Sequence, residues 1–290
     1  MRLKVFLVHG VIVGPNGDRF KGQCSIMGQS LKYSGYVFDL DGTIYLGDQL
    51  LPGASETISR LRENDARVLF LTNKPIDRRE AYAEKLSRLG IPTSADEVIN
   101  SSMVAAQYLS QQMPGARVYV IGEKSLIDEL ADVNLTLATD SSNTDLVLIS
   151  LDRTLTYEKL HFAYHAIKSG ARVMATNPDL VCPMPDDEII DAGAIVAAVE
   201  ALIRRPLDLI IGKPSRVMIQ VLLDRLDLPP ETCLMTGDRI ETDIKMGHLA
   251  GMGTALVLTG VTSLDQIKRS STQPDLVLDT LHDLLPAVVT

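Results

Sequence analysis

From residue 35 onward the chain alternates between short apolar runs and longer stretches whose apolar positions fall three or four apart. The runs are Gly35-Tyr36-Val37-Phe38, then 68–71, 118–121, 146–149, 173–175, 209–211, 233–235 and 254–258. Each is short and apolar, so each reads as a strand. Between them, 54–64, 103–112, 157–169, 194–204, 217–226 and 242–249 carry helical spacing. Continuous apolar strands alternating with helices predict parallel sheet covered on both faces. There are too many such strands for one small sheet, so two α/β bodies are expected. Residues 1–33 differ, being rich in Gly and without a sustained period, and read as an irregular N-terminal extension. No fixed-period repeat or low-complexity tract is present.

Composition narrows the class. A length of 290 residues suits two domains better than one. Hydrophobic residues at 46% and charged residues at 22% are ordinary for a globular chain. A net charge of −9 argues against broad binding to nucleic acid, while leaving room for one basic pocket that takes an anionic substrate. Cys24, Cys182 and Cys233 are odd in number and far apart, which supports neither a disulfide framework nor a zinc site and fits a reducing cytoplasm. The basic, apolar start Met1–Val8 is broken at His9-Gly10 and Gly14-Pro15, so no signal peptide is expected. No run approaches the roughly 20 apolar residues of a membrane span, and no membrane partner is expected.

The polar residues that could carry chemistry sit directly after strands, where ligands bind in open parallel sheets. Asp39-Leu40-Asp41-Gly42-Thr43 follows the first strand. Residues i and i+2 of an extended chain point the same way, so Asp39 and Asp41 would face one spot, and two close carboxylates call for a cation or a shared proton. A hard ion such as Mg²⁺ suits such oxygens. Thr72-Asn73-Lys74 offers a hydroxyl and an amide to phosphate oxygens, or equally a helix N-cap. Gly212-Lys213-Pro214-Ser215 places a lysine just before a helix, where anions are attracted. Gly237-Asp238-Arg239-Ile240-Glu241-Thr242-Asp243 adds a third strand-end carboxylate and, in Asp243, a carboxylate in the first turn of the next helix. Each piece alone also has an ordinary structural reading as a turn, a cap or a surface charge.

Taken in order, the four pieces resemble the four motifs of the haloacid dehalogenase superfamily, and the resemblance covers about residues 35–285. Gly212-Lys213-Pro214-Ser215, Ala175-Thr176-Asn177-Pro178-Asp179 and Leu258-Thr259-Gly260-Val261 are similar to the NagD-like, nitrophenyl-phosphatase-type subfamily IIA. Ser150-Leu151 through Thr154-Leu155-Thr156-Tyr157 is most similar to the sugar phosphatases of bacterial arabinose operons. The resemblance implies a doubly wound, Rossmann-like parallel core with an inserted α/β cap of the C2 type. It divides the chain into the extension 1–33, a first core part 34–113, the cap 114–203 and a second core part 204–290. Met27, just upstream of the match, is a candidate start.

The resemblance also implies a Mg²⁺-dependent phosphatase of small phosphorylated metabolites, sugar phosphates first, working through an aspartyl phosphate. Asp39 would be the nucleophile and Asp41 the general acid and base. Thr72, Asn73 and Lys213 would bind phosphate, with Lys213 also stabilising charge. The metal would be held by Asp39, Asp41 through its backbone carbonyl and Asp238, with Asp243 supporting them. Asn177 and Asp179, on the cap loop 177–183, are expected at the substrate. That loop offers no arginine and no aromatic ring to clamp a second phosphate or stack a base, which favours sugar or polyol phosphates. Nucleotide, phosphoglycolate and pyridoxal phosphate phosphatases of the same family are the alternatives, a phosphomutase and a non-catalytic binding module the remote ones. A carbon–halogen hydrolase is disfavoured by Asp41, because an acid is useful only when an oxygen leaving group needs a proton. Oligomeric state is left open, with a cap-to-cap homodimer as one arrangement.

Overall fold

The computed structural model describes residues 33–184 and 187–285, and the backbone of three short strands before them, Phe6–Val8, Val11–Val13 and Arg19–Phe20, which pair antiparallel. Cys24 and Met27, and most of the segment expected to be irregular, lie outside the described residues. The chain divides into two compact units, one formed by Met1–Leu71, Lys85–Thr93 and Leu222–Thr290, the other by Thr72–Glu84 and Ser94–Val221.

In the first unit five parallel strands lie in the order Leu276–Leu278, Gly253–Val257, Cys233–Gly237, Gly35–Phe38 and Arg67–Thr72. Strands distant in sequence are neighbours here, since Gly35–Phe38 pairs with Cys233–Gly237 on one side and Arg67–Thr72 on the other. The expected alternation is observed, and its cause is visible in the burial. Tyr36, Val37, Phe38, Leu234, Met235, Leu256 and Val257 are all fully buried, as strands covered on both faces must be. The ring of Tyr36 stacks near-parallel to that of Phe38, whose ring meets Phe70 from the next strand.

The second unit has its own parallel sheet of five strands, in the order Thr136–Leu137, Arg117–Ile121, Leu146–Ile149, Arg172–Ala175 and Leu209–Ile210. The helices Tyr157–Lys168 and Ala192–Ile203 bury Ala163, Ala166, Ile195, Val196 and Val199 against Val147, Ile149, Val173 and Ala175. The strand Leu209–Ile210, inside the segment expected to open the second core part, pairs with Arg172–Ala175 at the edge of this sheet. Leu207 and Ile210 pack against that sheet's core cluster, which gives the pairing its driving force.

Several elements were not expected from the sequence. They include the helices Arg79–Arg88, Lys124–Asp132 and Leu264–Arg269, the strands Val98–Asn100 and Leu276–Leu278, and the antiparallel pair Val181–Pro183 with Glu188–Ile190. Among the described residues no helix is long and apolar enough to cross a membrane.

Candidate active site

The first unit holds the carboxylates. Asp39 directly follows Gly35–Phe38, and its N–H donates to the Thr236 carbonyl at 2.9 Å, so the strand alignment continues to the end of Cys233–Gly237, where Asp238 follows. Two adjacent parallel strands thus deliver their next residues to one end of the sheet. Asp243 comes from the turn Ile240–Ile244, and its Oδ2 accepts the Arg239 N–H at 3.0 Å. Asp39, Asp238 and Asp243 are all buried, and one carboxylate oxygen of each lies within 4.8 Å of the others.

Three buried carboxylates at that spacing repel strongly unless a cation or protons intervene. Their oxygens are the hard donors that a small divalent cation prefers. The set therefore fits a metal of the Mg²⁺ class. Asp243, read from the sequence as a supporting carboxylate, belongs to this set directly.

The walls are glycine for steric reasons. Gly42 turns the chain with φ +83° after Asp41, and a β carbon there would meet Asp238 Oδ2 at 2.6 Å. A β carbon on Gly260 would come within 2.0 Å of the same oxygen, and one on Gly237 within 2.3 Å of Asp243 Cγ. The loop carrying Gly260 also fixes Asp238. The Val261 N–H donates to Asp238 Oδ2 at 2.7 Å, the Thr262 N–H donates to the Asp238 carbonyl at 3.2 Å, and Thr259 Oγ1 donates to the Gly42 carbonyl at 2.7 Å. The sequence marked Leu258-Thr259-Gly260-Val261 as a subfamily feature, but nothing in its pattern told that it braces the carboxylates. Asp41 is buried beside Gly42, and its backbone bridges to Tyr45.

The second unit holds the residues expected at the phosphate and those expected at the substrate. Thr72 ends the strand Arg67–Thr72, and its Oγ1 accepts the Lys74 N–H at 3.1 Å rather than capping a helix, the next of which starts at Arg79. Asn73 is buried and bonded on every side. Its Oδ1 accepts the Lys213 N–H at 2.7 Å, and its Nδ2 donates to the Lys213 carbonyl at 3.2 Å and to Asp179 Oδ2 at 2.7 Å. Gly212 makes this approach possible, because a β carbon there would meet Asn73 Oδ1 at 2.6 Å and the Thr176 carbonyl at 2.4 Å. Lys213 is buried.

Asn177 is fully buried. Its Oδ1 accepts from Thr176 Oγ1 at 2.8 Å, and its Nδ2 donates to Asp191 Oδ1 at 3.1 Å and Asp179 Oδ2 at 3.2 Å. Sequence reasoning missed Ser101, whose hydroxyl donates to the Asn73 carbonyl at 2.6 Å, and Asp191, which caps the helix Ala192–Ile203. Ser101 opens a helix behind an Asn100 N-cap, a signal legible in the sequence only as a helix start.

The fold and the strand-end acids define a doubly wound α/β protein with an acidic, metal-suited centre. A family model described as haloacid dehalogenase-like hydrolase matches residues 36–136, and a second, HAD-hydrolase-like, matches 210–284. A sugar phosphatase of Bacillus subtilis, AraL, is 38% identical over 251 residues, covering 87% of this chain and 92% of that protein. A 5'-nucleotidase of the same organism, YutF, is 33% identical over 256 residues, covering 88% of this chain and 99% of its own. The crystal structure of a 4-nitrophenylphosphatase from Thermotoga maritima superposes with a TM-score of 0.82 at 35% identity, covering 88% of this chain and 97% of that one. The chain belongs to the haloacid dehalogenase-like hydrolase family, in its NagD-like and nitrophenyl-phosphatase-type branch.

Proposed function

We propose that the protein is a Mg²⁺-dependent phosphatase that hydrolyses phosphate monoesters of small metabolites, sugar phosphates first, through an aspartyl phosphate on Asp39. The observation that carries this reading is the set of three buried carboxylates, Asp39, Asp238 and Asp243, within 4.8 Å of one another at the end of a parallel sheet. Asp39, the Asp41 carbonyl, Asp238 and Asp243 would hold the cation, and a bound Mg²⁺ would supply neutralisation of charge on the phosphoryl oxygens.

The remaining chemistry belongs to the chain. A carboxylate oxygen of Asp39 forms the bond to phosphorus as the ester oxygen leaves. Asp41 gives that oxygen its proton, so an alcohol departs, and then takes a proton from the water that attacks the phosphoenzyme. The second step returns Asp39 as a carboxylate and releases inorganic phosphate. Thr72, the Asn73 backbone and Lys213 bind phosphoryl oxygens, with the lysine ammonium offsetting the charge that builds on them. In this reading residues 114–203 act as the cap over the leaving group, and the protein works in the cytoplasm as a monomer or a cap-to-cap dimer.

Sugar phosphates stand first because AraL is a sugar phosphatase and because the loop 177–183 has no arginine and no aromatic ring. The relative YutF, a 5'-nucleotidase, makes nucleotides the second class to assay. Phosphate release from sugar, nucleotide, pyridoxal and glycolate phosphates, with Mg²⁺ and with excess chelator, tests the proposal. No release from any ester with Mg²⁺ present would overturn it.

A further inference from the structure

The Asn73 side chain has one acceptor oxygen and two N–H donors, and the second unit uses all three. Oδ1 and one N–H grip the peptide groups on either side of the Lys213 α-carbon, at 2.7 and 3.2 Å. The other N–H goes to Asp179 Oδ2 at 2.7 Å. That same oxygen takes Asn177 Nδ2 at 3.2 Å, and Asn177 is tied in turn to Asp191 Oδ1. No donor of the Asn73 amide is left over for a ligand.

The carboxylate of Asp179 anchors the amide in the orientation that the Lys213 backbone also requires. A carboxylate oxygen accepts, so Nδ2 is held toward it, and this keeps Oδ1 toward the Lys213 N–H. With the carboxylate gone, the second N–H of a buried amide loses its acceptor, and the side chain holds the Lys213 peptide groups less firmly. The lysine side chain is long, and where its ammonium sits depends on where its α-carbon is held.

We propose that Asp179 is a positioning residue, which fixes the orientation of the Asn73 amide and through it the Lys213 backbone, equally for every substrate. This differs from the expectation that Asp179 touches and sorts substrates. Its kinetic consequence rests on the phosphatase reading, while the geometry it describes does not.

The test pairs kinetics with hydrogen exchange on the full chain. Asp179→Ala should lower kcat by roughly 10–100-fold, the usual range for residues that orient a working group, and by the same factor for sugar, nucleotide and pyridoxal phosphates. Asp179→Asn keeps an accepting oxygen and should recover most of that loss. In a Lys213→Ala background, Asp179→Ala should cost nothing further, since residues acting through one another are not additive. Exchange of the Lys213 amide should quicken in Asp179→Ala and stay as in the wild type in Asp179→Asn. If alanine does not fold, Asp179→Leu, closer in volume, carries the same comparison. A loss that differs between substrates, a full additional loss in the Lys213→Ala background, or unchanged exchange at Lys213 would each overturn the proposal. If the wild type hydrolyses no ester in the panel, the phosphatase reading fails and the exchange measurement alone decides the role of Asp179.

Discussion

Gly42 and Asp238 are 196 positions apart in the chain, yet the α-carbon of one faces the carboxylate of the other so closely that a β carbon on Gly42 would lie 2.6 Å from Asp238 Oδ2. Gly42 also has φ +83°, a conformation that side chains rarely adopt. Backbone geometry and carboxylate placement therefore demand glycine at the same position. Gly42→Ala is expected to cost roughly 1–3 kcal/mol in stability from the backbone alone. It should lower activity further by displacing Asp238. Urea unfolding and turnover, measured together, check this. An alanine variant with wild-type activity would show that Asp238 has room to move.

Asp39→Asn is expected to abolish turnover and to leave the melting temperature near that of the wild type, because the amide keeps the shape but cannot form the acyl phosphate. Asp41→Asn should lose about 10²–10⁴-fold in kcat, the range for a lost general acid or base. Steady-state kinetics on one good ester and a thermal melt of each variant suffice. Near-normal rates in Asp39→Asn would exclude the covalent route.

Excess chelator is expected to remove activity, and Mg²⁺ to restore it. Ca²⁺ should inhibit, since it favours more ligands and looser geometry and would draw the Asp39 carboxylate away from its line of attack. Binding should also stabilise the fold by about 2.7 kcal/mol at a hundredfold excess over Kd. The melting shift should vanish in Asp238→Ala and shrink in Asp243→Ala, because both carboxylates lie in the acidic set. A full Mg²⁺ shift in Asp238→Ala would place the cation elsewhere.

Acid should weaken one tie in the second unit in a predictable direction. Asp145 accepts from the Arg117 peptide N–H at 2.8 Å, from Nε at 2.9 Å and from the other guanidinium arm at 2.7 Å. The side-chain bonds to Arg117, with help from its backbone N–H, hold the Asp145 carboxyl at about 2. An unfolded aspartate titrates at about 3.9, so the carboxylate stabilises the folded chain fully above that value, and the contribution disappears as pH falls through about 2. The side chain is partly exposed, so the effect is small. Urea midpoints of wild type and Asp145→Asn, measured from pH 7 down to 2, should differ most at neutral pH and converge in acid. A gap that widens on acidification would contradict the assignment.

Much of this protein is set locally and can be read along the chain. Runs such as Gly35–Phe38 and Cys233–Gly237 are buried throughout and mostly apolar because both faces of each strand are covered. The acids Asp39, Asp41 and Asp238 and the lysine Lys213 stand out because they end such runs, and their order along the chain was enough to point to the family. What no pattern along the chain carries is the partner of each group.

Asp243 reads as a helix-end carboxylate until the turn Ile240–Ile244 brings it beside Asp39 and Asp238. The short strand Leu209–Ile210 has no period of its own that could tell one sheet from another, and its pairing with Arg172–Ala175 follows from the apolar surface it meets. Asn73 and Asp179 are 106 positions apart, and hydrogen bonds between side chains so distant depend on backbones that only packing brings together. Local sequence marks the buried strands, the longer helices and the residues worth watching. The tertiary structure alone decided that the Asn73 amide grips Lys213 and that a glycine faces Asp238, because those choices are made by steric exclusion and donor matching between segments far apart in the chain.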